Sequence, residues 1–156
     1  MEPEQLMQVA IDRAQAGVAN GQTPFGCAIA RNGRILAAEH NSVWATIDIT
    51  AHAEINALRA ACQANGDVVL AGAIAATTCE PCPMCMSALH WARIETVYFG
   101  ASISDAEAAG FNELTLPASQ VVQIGGCRVQ LVGGILAEGC RAIFDDWKSG
   151  PHARVY

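Results

Sequence analysis

The sequence contains a single lysine beside eight arginines and fifteen acidic residues, and its formal net charge is −6. A protein that binds long nucleic acids by itself usually presents a basic surface, so this charge argues against nucleic acid as a partner. No apolar run reaches the ~18 residues of a membrane-spanning helix, which argues against a membrane protein. The first four residues, Met-Glu-Pro-Glu, lack the basic start of a secretory signal. We therefore expect a cytoplasmic protein.

No internal repeat, linker or low-complexity stretch divides the 156 residues, of which 52% are hydrophobic. A chain of this length and composition can bury a full core as one domain, so we expect a single domain over residues 1–156. The seven cysteines are an odd number. In a reducing compartment they are expected to be metal ligands, catalytic groups or small buried apolar residues, and not a disulfide framework.

Hydrophobic periodicity predicts helices that alternate with strands, apart from one early hairpin. The turn of that hairpin is an Asn-Gly pair at residues 32–33, which is a strong two-residue turn signal. Such alternation predicts an α/β layered sheet. Helices are expected over 3–20, 52–64, 83–93 and 135–147, and strands over 24–30, 35–41, 73–78, 96–100 and 127–132. Residues 42–51 are expected to be irregular, and 101–125 mixed, with a helix start near 104–107.

Two short segments carry residues with metal-ligand chemistry. One contains His52 and Glu54, and the other is a Pro-Cys-Pro-Met-Cys run that holds Cys82 and Cys85. One helix and one strand separate the segments, so both can meet at the N-termini of two neighbouring helices. Zn²⁺ prefers nitrogen and sulfur donors, and a catalytic site keeps three protein ligands with one open position. His52, Cys82 and Cys85 are predicted to be these ligands, with one zinc ion per chain.

Two other ligand sets are compatible with the same segments. Cys79 and Cys82 also form a C-x-x-C pair, although Pro81 favours an extended chain there and Pro83 favours a helix that brings Cys82 and Cys85 together. Glu54 is a conceivable fourth ligand of a closed structural site. The preferred interpretation places Glu54 beside the water at the open position, where it can accept and return a proton.

The H-x-E and P-C-x-x-C pattern is typical of zinc-dependent base deaminases. With it, the chain resembles the cytidine and deoxycytidylate deaminase superfamily, and within it the bacterial guanine deaminases. The resemblance implies a three-layer α/β/α fold with a five-stranded mixed sheet, a small-molecule nucleobase as substrate, and a homodimer. The matching segments are Pro24-Phe-Gly, Asn41, Thr50-Ala-His-Ala-Glu, Cys79-Glu-Pro-Cys-Pro-Met-Cys, Trp91-Ala-Arg, Glu107-Ala-Ala-Gly-Phe-Asn-Glu113 and the terminal tyrosine.

The resemblance also implies which residues contact the substrate. Asn41 matches an asparagine that hydrogen-bonds the base, and Phe25 matches an aromatic ring that packs on it. Ala53 falls beside the ligand histidine, at the substrate. Glu113 stands where the guanine enzymes usually carry an aspartate, and this extra methylene leaves the choice of purine open. Tyr156 matches a C-terminal tyrosine that closes the pocket, so residues 152–156 are expected to form a lid or an exchanged tail.

Each of these positions also has a purely structural interpretation. Phe25 lies in a predicted strand and can be a core residue, and Asn41 can be a turn or cap residue. Glu113 can be a solvated loop acid. Tyr156 can belong to a frayed terminus, as many final residues do.

The resemblance and the predicted site lead to hydrolytic deamination of guanine, with xanthine and ammonia as products. Glu54 would protonate the ring nitrogen and then the leaving amine. Alternatives on the same fold are deamination of adenosine in tRNA, or of guanosine, a cytosine-like base or an amino-triazine. A different class is a structural zinc module, which would need a fourth protein ligand.

Overall fold

The computed structural model describes residues 1–156. Its centre is a five-stranded mixed sheet of order β2-β1-β3-β4-β5, in which β1 runs antiparallel to β2 and β3, and β3, β4 and β5 run parallel. The strands are β1 (Gly26–Arg31), β2 (Arg34–His40), β3 (Ala73–Cys79), β4 (Thr96–Ala101) and β5 (Gln130–Gly133). The helices are α1 (Pro3–Ala19), α2 (Val43–Thr46), α3 (Ala53–Asn65), α4 (Pro83–Trp91), α5 (Ile103–Ala108), α6 (Ala118–Gly125) and α7 (Ala137–Ser149).

Two apolar cores, one on each face of the sheet, make the three layers. On one face α1 and α7 cover the sheet with residues such as Leu6 and Ile143. On the other face α3, α4 and α6 cover it with residues such as Leu58, Met86 and Ala118. This arrangement confirms the predicted three-layer α/β/α fold with a five-stranded mixed sheet. No helix combines the length and the apolar character that crossing a bilayer requires.

The hairpin forms where the Asn-Gly pair predicts it. Asn32 and Gly33 both have positive φ, at 52° and 75°, as a type I′ turn requires. Two helices were not predicted individually. Helix α2 lies in the segment expected to be irregular, and α6 lies in the mixed segment, away from the helix start predicted near 104–107. The last strand begins at Gln130, later than predicted, because only four of its residues pair with β4.

The site-forming residues lie at the same end of neighbouring strands because of the sheet topology. Phe25 precedes β1, Asn41 follows β2, and Cys79 ends β3. The antiparallel pairing of β1 with β2 and β3 brings all three to this end of the sheet. It is also the carboxyl end of the parallel strands β3 and β4, which is where open α/β sheets bind their ligands.

Helix α1 lies almost in contact with the backbone of β1, and Gly26 permits this approach. A Cβ atom at Gly26 would lie 2.1 Å from the carbonyl oxygen of Ala10 and 2.7 Å from the backbone nitrogen of Ala14. Both neighbours are helix backbone, so neither can rotate away. The start of β1, and with it Phe25, is therefore held directly against α1.

We expect Gly26→Ala to lower the free energy of unfolding by more than the ~1–3 kcal/mol that is typical of overpacking, because backbone and not side chain must move. Gly125→Ala is the matched control, since a Cβ there meets nothing within 4 Å. Urea unfolding of both variants checks the prediction. Equal stability of the two variants would contradict it.

Candidate metal centre and active site

Two helix N-termini bring the three soft donor atoms together. His52 is the N-cap of α3 and Cys82 is the N-cap of α4, and both have nearly the same extended backbone, with φ/ψ of −65°/157° and −64°/166°. Cys85 lies in the first turn of α4, which begins with Pro83. The Nδ1 atom of His52 lies 3.7 Å from the Cys82 sulfur and 3.5 Å from the Cys85 sulfur.

These donors fit a zinc ion. Tetrahedral coordination with ordinary Zn–S and Zn–N bond lengths requires donor atoms roughly 3.5–3.8 Å apart. The three donor atoms all lie within 4.8 Å of one another, and the nitrogen–sulfur distances fall in that range. Two thiolates and a neutral imidazole also balance the charge of Zn²⁺, which suits a partly buried site.

The other candidate ligands lie outside this group of donors. Cys79 is buried at the end of β3 and its thiol donates to the carbonyl oxygen of Ser102 at 3.4 Å. The group of donor atoms that lie close enough to share a metal ion contains neither Cys79 nor Glu54. The structure thus groups Cys82 and Cys85 with His52.

The surroundings of Cys82 favour the thiolate form of its side chain. The hydrogen bond with Cys85 lowers the pKa of Cys82 to about 4, against the opposing effect of burial. The same hydrogen bond, together with burial, raises the pKa of Cys85. The unpaired N–H groups at a helix N-terminus further stabilise negative charge.

Glu54 is a buried carboxyl group beside the donors. Its side chain sits in the first turn of α3, and the Thr77 hydroxyl lies 3.2 Å from its Oε1 atom. Burial raises the pKa of Glu54, and the nearby Cys82 adds to that rise. A carboxyl group whose pKa moves toward neutrality is suited to accepting and returning a proton.

A cavity opens directly onto these groups. Its walls combine acidic, aromatic and amide side chains in a small space, as in pockets for small molecules. Its lining consists of Phe25, Asn41, His52, Glu54, Cys79, Glu80, Cys82, Glu113 and Tyr156.

Two of the predicted substrate residues have both a structural and a cavity-facing role. Phe25 packs edge-on against Phe111, with ring centroids 4.9 Å apart, and also lines the cavity. Asn41 is buried and lines the cavity: its Oδ1 accepts a hydrogen bond from the Val43 backbone, and its Nδ2 donates to the Tyr156 hydroxyl. These two contacts hold the amide in one orientation.

Two further predicted substrate residues differ in their access to the cavity. Glu113 is half-buried and lines the wall, and burial, followed by the charge of Cys82, raises its pKa. Ala53 is fully buried in the core and is not part of the cavity lining.

The C-terminal tail folds over the site of its own chain. The Tyr156 hydroxyl accepts a hydrogen bond of 2.8 Å from Asn41 Nδ2, and its ring lies 5.9 Å from the His52 ring. Trp44 anchors the tail, because its indole N–H donates to the Arg154 carbonyl at 3.1 Å. The Arg154 guanidinium also stacks 3.3 Å above the Trp44 ring, which is a cation–π contact. The tail is thus ordered by side-chain contacts.

Glu80 has a role that the sequence analysis missed. Its carboxylate accepts hydrogen bonds from the backbone N–H groups of Ala118, at 2.8 Å, and Ile103, at 3.3 Å. These are the first residues of α6 and α5, so one side chain ties both helices to the metal segment. The loop between those helices carries Glu113. The only available signal was an acid directly before Pro-Cys, which does not identify distant partners.

A mixed sheet between two helical layers, with a His-Cys-Cys donor set at the carboxyl ends of its parallel strands, is typical of zinc-dependent nucleobase deaminases. Comparison with known families agrees: the model described as "Cytidine and deoxycytidylate deaminase zinc-binding region" matches residues 1–101. The chain belongs to this family and is a deaminase of the cytidine deaminase superfamily.

Proteins that carry different names are similar to this chain in sequence. A guanine deaminase of Bacillus subtilis is 42% identical over 114 residues, which cover 72% of this chain and 73% of that protein. A tRNA-specific adenosine deaminase of Agrobacterium fabrum is 38% identical over 100 residues, covering 64% and 66%.

Solved structures of both kinds share the fold. A guanine deaminase from Nitrosomonas europaea superposes with a TM-score of 0.87 at 26% identity, over 96% of this chain and 86% of that one. A tRNA:A34 deaminase gives a TM-score of 0.79 at 28% identity, over 89% and 98%.

We expect Cys82→Ala and Cys85→Ala to lose most of the bound zinc and to unfold at lower temperature, because each removes one of three protein ligands. Cys79→Ala is the matched control and should keep its metal. Zinc content per chain and thermal unfolding of the three variants check the prediction. Metal loss from Cys79→Ala with retention in Cys82→Ala would contradict this ligand assignment.

Proposed function

We propose that residues 1–156 form one zinc-dependent deaminase domain that converts guanine to xanthine and ammonia. The observation that carries the proposal is the His52, Cys82 and Cys85 donor triangle, which faces a small cavity with Glu54 and Glu113 on its walls. A small cavity lined by carboxyl groups suits a free base that offers several N–H donors. The 42% identity to a guanine deaminase supports the same substrate.

Glu54 is the proposed proton carrier of the reaction. A zinc ion held by the three donors would supply a water molecule whose pKa is lowered to about 7. The Glu54 carboxylate would accept one proton from the attacking water and pass it to the ring nitrogen beside the carbon that bears the amine. It would then take the second proton from the newly added hydroxyl group and give it to the leaving amine, so that ammonia departs. The raised pKa of Glu54 suits both halves of this cycle.

The remaining cavity residues are proposed to hold the base. Asn41 Nδ2 can donate to a ring acceptor, and the Glu113 carboxylate can accept from ring N–H groups. Phe25 packs against the flat face of the purine, while the backbone of Ala53 is within the same segment as His52 and Glu54. A site that accepts N–H donors in this way disfavours analogues without them, because its own acceptor stays unpaired.

Deamination of adenosine in tRNA is the second candidate, because relatives with that name share the sequence and fold. Two observations favour the free base. The chain has a net charge of −6, and its last ten residues hold only Lys148 and Arg154 as fixed positive charges. The tail, anchored on Trp44, also covers the cavity that a nucleotide of an RNA loop would have to enter.

We expect the purified protein to release ammonia fastest from guanine, with one xanthine formed per ammonia. The panel contains guanine, guanosine, adenine, cytosine, isocytosine, an amino-triazine and a tRNA anticodon stem-loop with a wobble adenosine. Glu54→Gln is the matched control: the amide is nearly isosteric but cannot carry the proton. Its kcat should fall by at least ~10²–10⁴ while zinc content stays unchanged.

Other outcomes of the panel decide between the alternatives. Fastest turnover of the stem-loop would replace guanine by tRNA as the substrate. Loss of zinc from Glu54→Gln would make Glu54 a ligand. Absence of turnover of every substrate by the zinc-loaded protein would favour a structural zinc module.

The tail is proposed to act as a lid over the site of a homodimer. We expect removal of residues 152–156 to lower kcat/KM for the base at least ~10-fold, because a closed lid excludes water and completes the site. Zinc content and melting temperature should be unchanged. Full activity of the truncated protein would contradict the role of Tyr156. Mixing it with Glu54→Gln chains restores activity only where the tail closes a partner's site, and not where it closes its own.

A further inference from the structure

The Glu54 carboxyl group has a neighbour that the mechanism above does not use. The Thr77 hydroxyl, at the centre of β3, lies 3.2 Å from Glu54 Oε1 and 3.0 Å from the carbonyl oxygen of Cys79. Thr77 and Glu54 are 2% and 7% exposed, so water does not replace either contact. Both neighbours of the hydroxyl offer it an oxygen atom that can accept a hydrogen bond.

A hydroxyl group has one proton to donate and two lone pairs with which to accept. Thr77 can therefore donate to only one of its two neighbours at a time. Its oxygen lies within hydrogen-bond distance of both, so the hydroxyl links the Glu54 side chain to the backbone at the end of β3.

We propose that Thr77 is a positioning residue: the hydrogen bond of its hydroxyl holds the buried Glu54 carboxyl group in one orientation beside the donor atoms. The inference rests on the proposed function, in which Glu54 carries protons during the reaction. Loss of the hydroxyl removes this hydrogen bond and leaves the carboxyl group less precisely oriented toward the reacting atoms.

The position of Thr77 in the sheet supports a functional reason for its hydroxyl. Thr77 pairs with Cys27 of β1 on one side and Phe99 of β4 on the other. Valine has the same shape, and a buried hydroxyl costs free energy unless it is hydrogen-bonded. The alternative role is structural: the hydroxyl would only satisfy the Cys79 carbonyl at the end of the strand. The two roles differ in what the loss of the hydroxyl changes.

Thr77→Val removes the hydroxyl with little change of shape. We expect its kcat for the best base of the panel to fall about 10- to 100-fold, the range for a hydrogen bond to a charged group. KM should change less than about threefold and zinc content should stay the same, because the variant leaves the three donor residues and the residues proposed to hold the base unchanged. Thr77→Ser keeps the hydroxyl and should retain most of kcat. The matched control is Thr96→Val, a buried threonine at the other end of the sheet, which should keep the wild-type kcat.

A double variant separates positioning from a general loss of structure. In the Glu54→Gln background the proton carrier is already gone, so adding Thr77→Val should not lower the residual rate further. The same factor lost in both backgrounds would overturn the proposal, as would a wild-type kcat of Thr77→Val or a Thr77→Ser as slow as Thr77→Val. Should Thr77→Val fail to fold, Thr77→Ala takes its place, and metal loss from both would show a structural role. Wild-type protein that deaminates no substrate would instead reject the proposed function.

Discussion

The structure depends on one geometric constraint: a histidine and a cysteine from segments thirty residues apart must bring their donor atoms within about 4 Å. His52 and Cys82 meet it because each is the last extended residue before a helix, with almost the same backbone angles. Strand β3, which lies between them in the sequence, returns the chain to the same end of the sheet. Cys85, one turn into α4, then completes the triangle. If either helix began at a different residue, one donor atom would point away from the other two.

The surroundings of the donors follow from the negative charge gathered there. The Cys82 thiol and the carboxyl groups of Glu54, Glu80 and Glu113 line one cavity, and burial raises the pKa of Glu54 and Glu113. A zinc ion held by the three donor atoms would offset negative charge there, at the N-termini of two helices. Glu80 uses its charge differently: it is tied to the N-termini of two helices and holds the loop that carries Glu113.

The same framework carries relatives that act on free bases and relatives that act on tRNA. Both kinds share the fold of this chain, so we expect differences in substrate to arise from the residues that line and cover the cavity. In this chain the cover is the tail, held by the indole of Trp44 and the guanidinium of Arg154, with the Tyr156 hydroxyl on Asn41.

The layered fold, the hairpin and the donor set could be predicted from the amino-acid sequence, because each depends on local patterns. Periodicity and an Asn-Gly pair indicate the strands, and Pro83 between Cys82 and Cys85 indicates a helix turn that brings the two sulfurs together. The contacts between residues far apart in the chain are visible only in the folded structure. Glu54 and Thr77 are 23 residues apart, and Asn41 and Tyr156 are 115 apart. Such pairs depend on strand order and register, and a local pattern does not encode which buried side chains these will bring together.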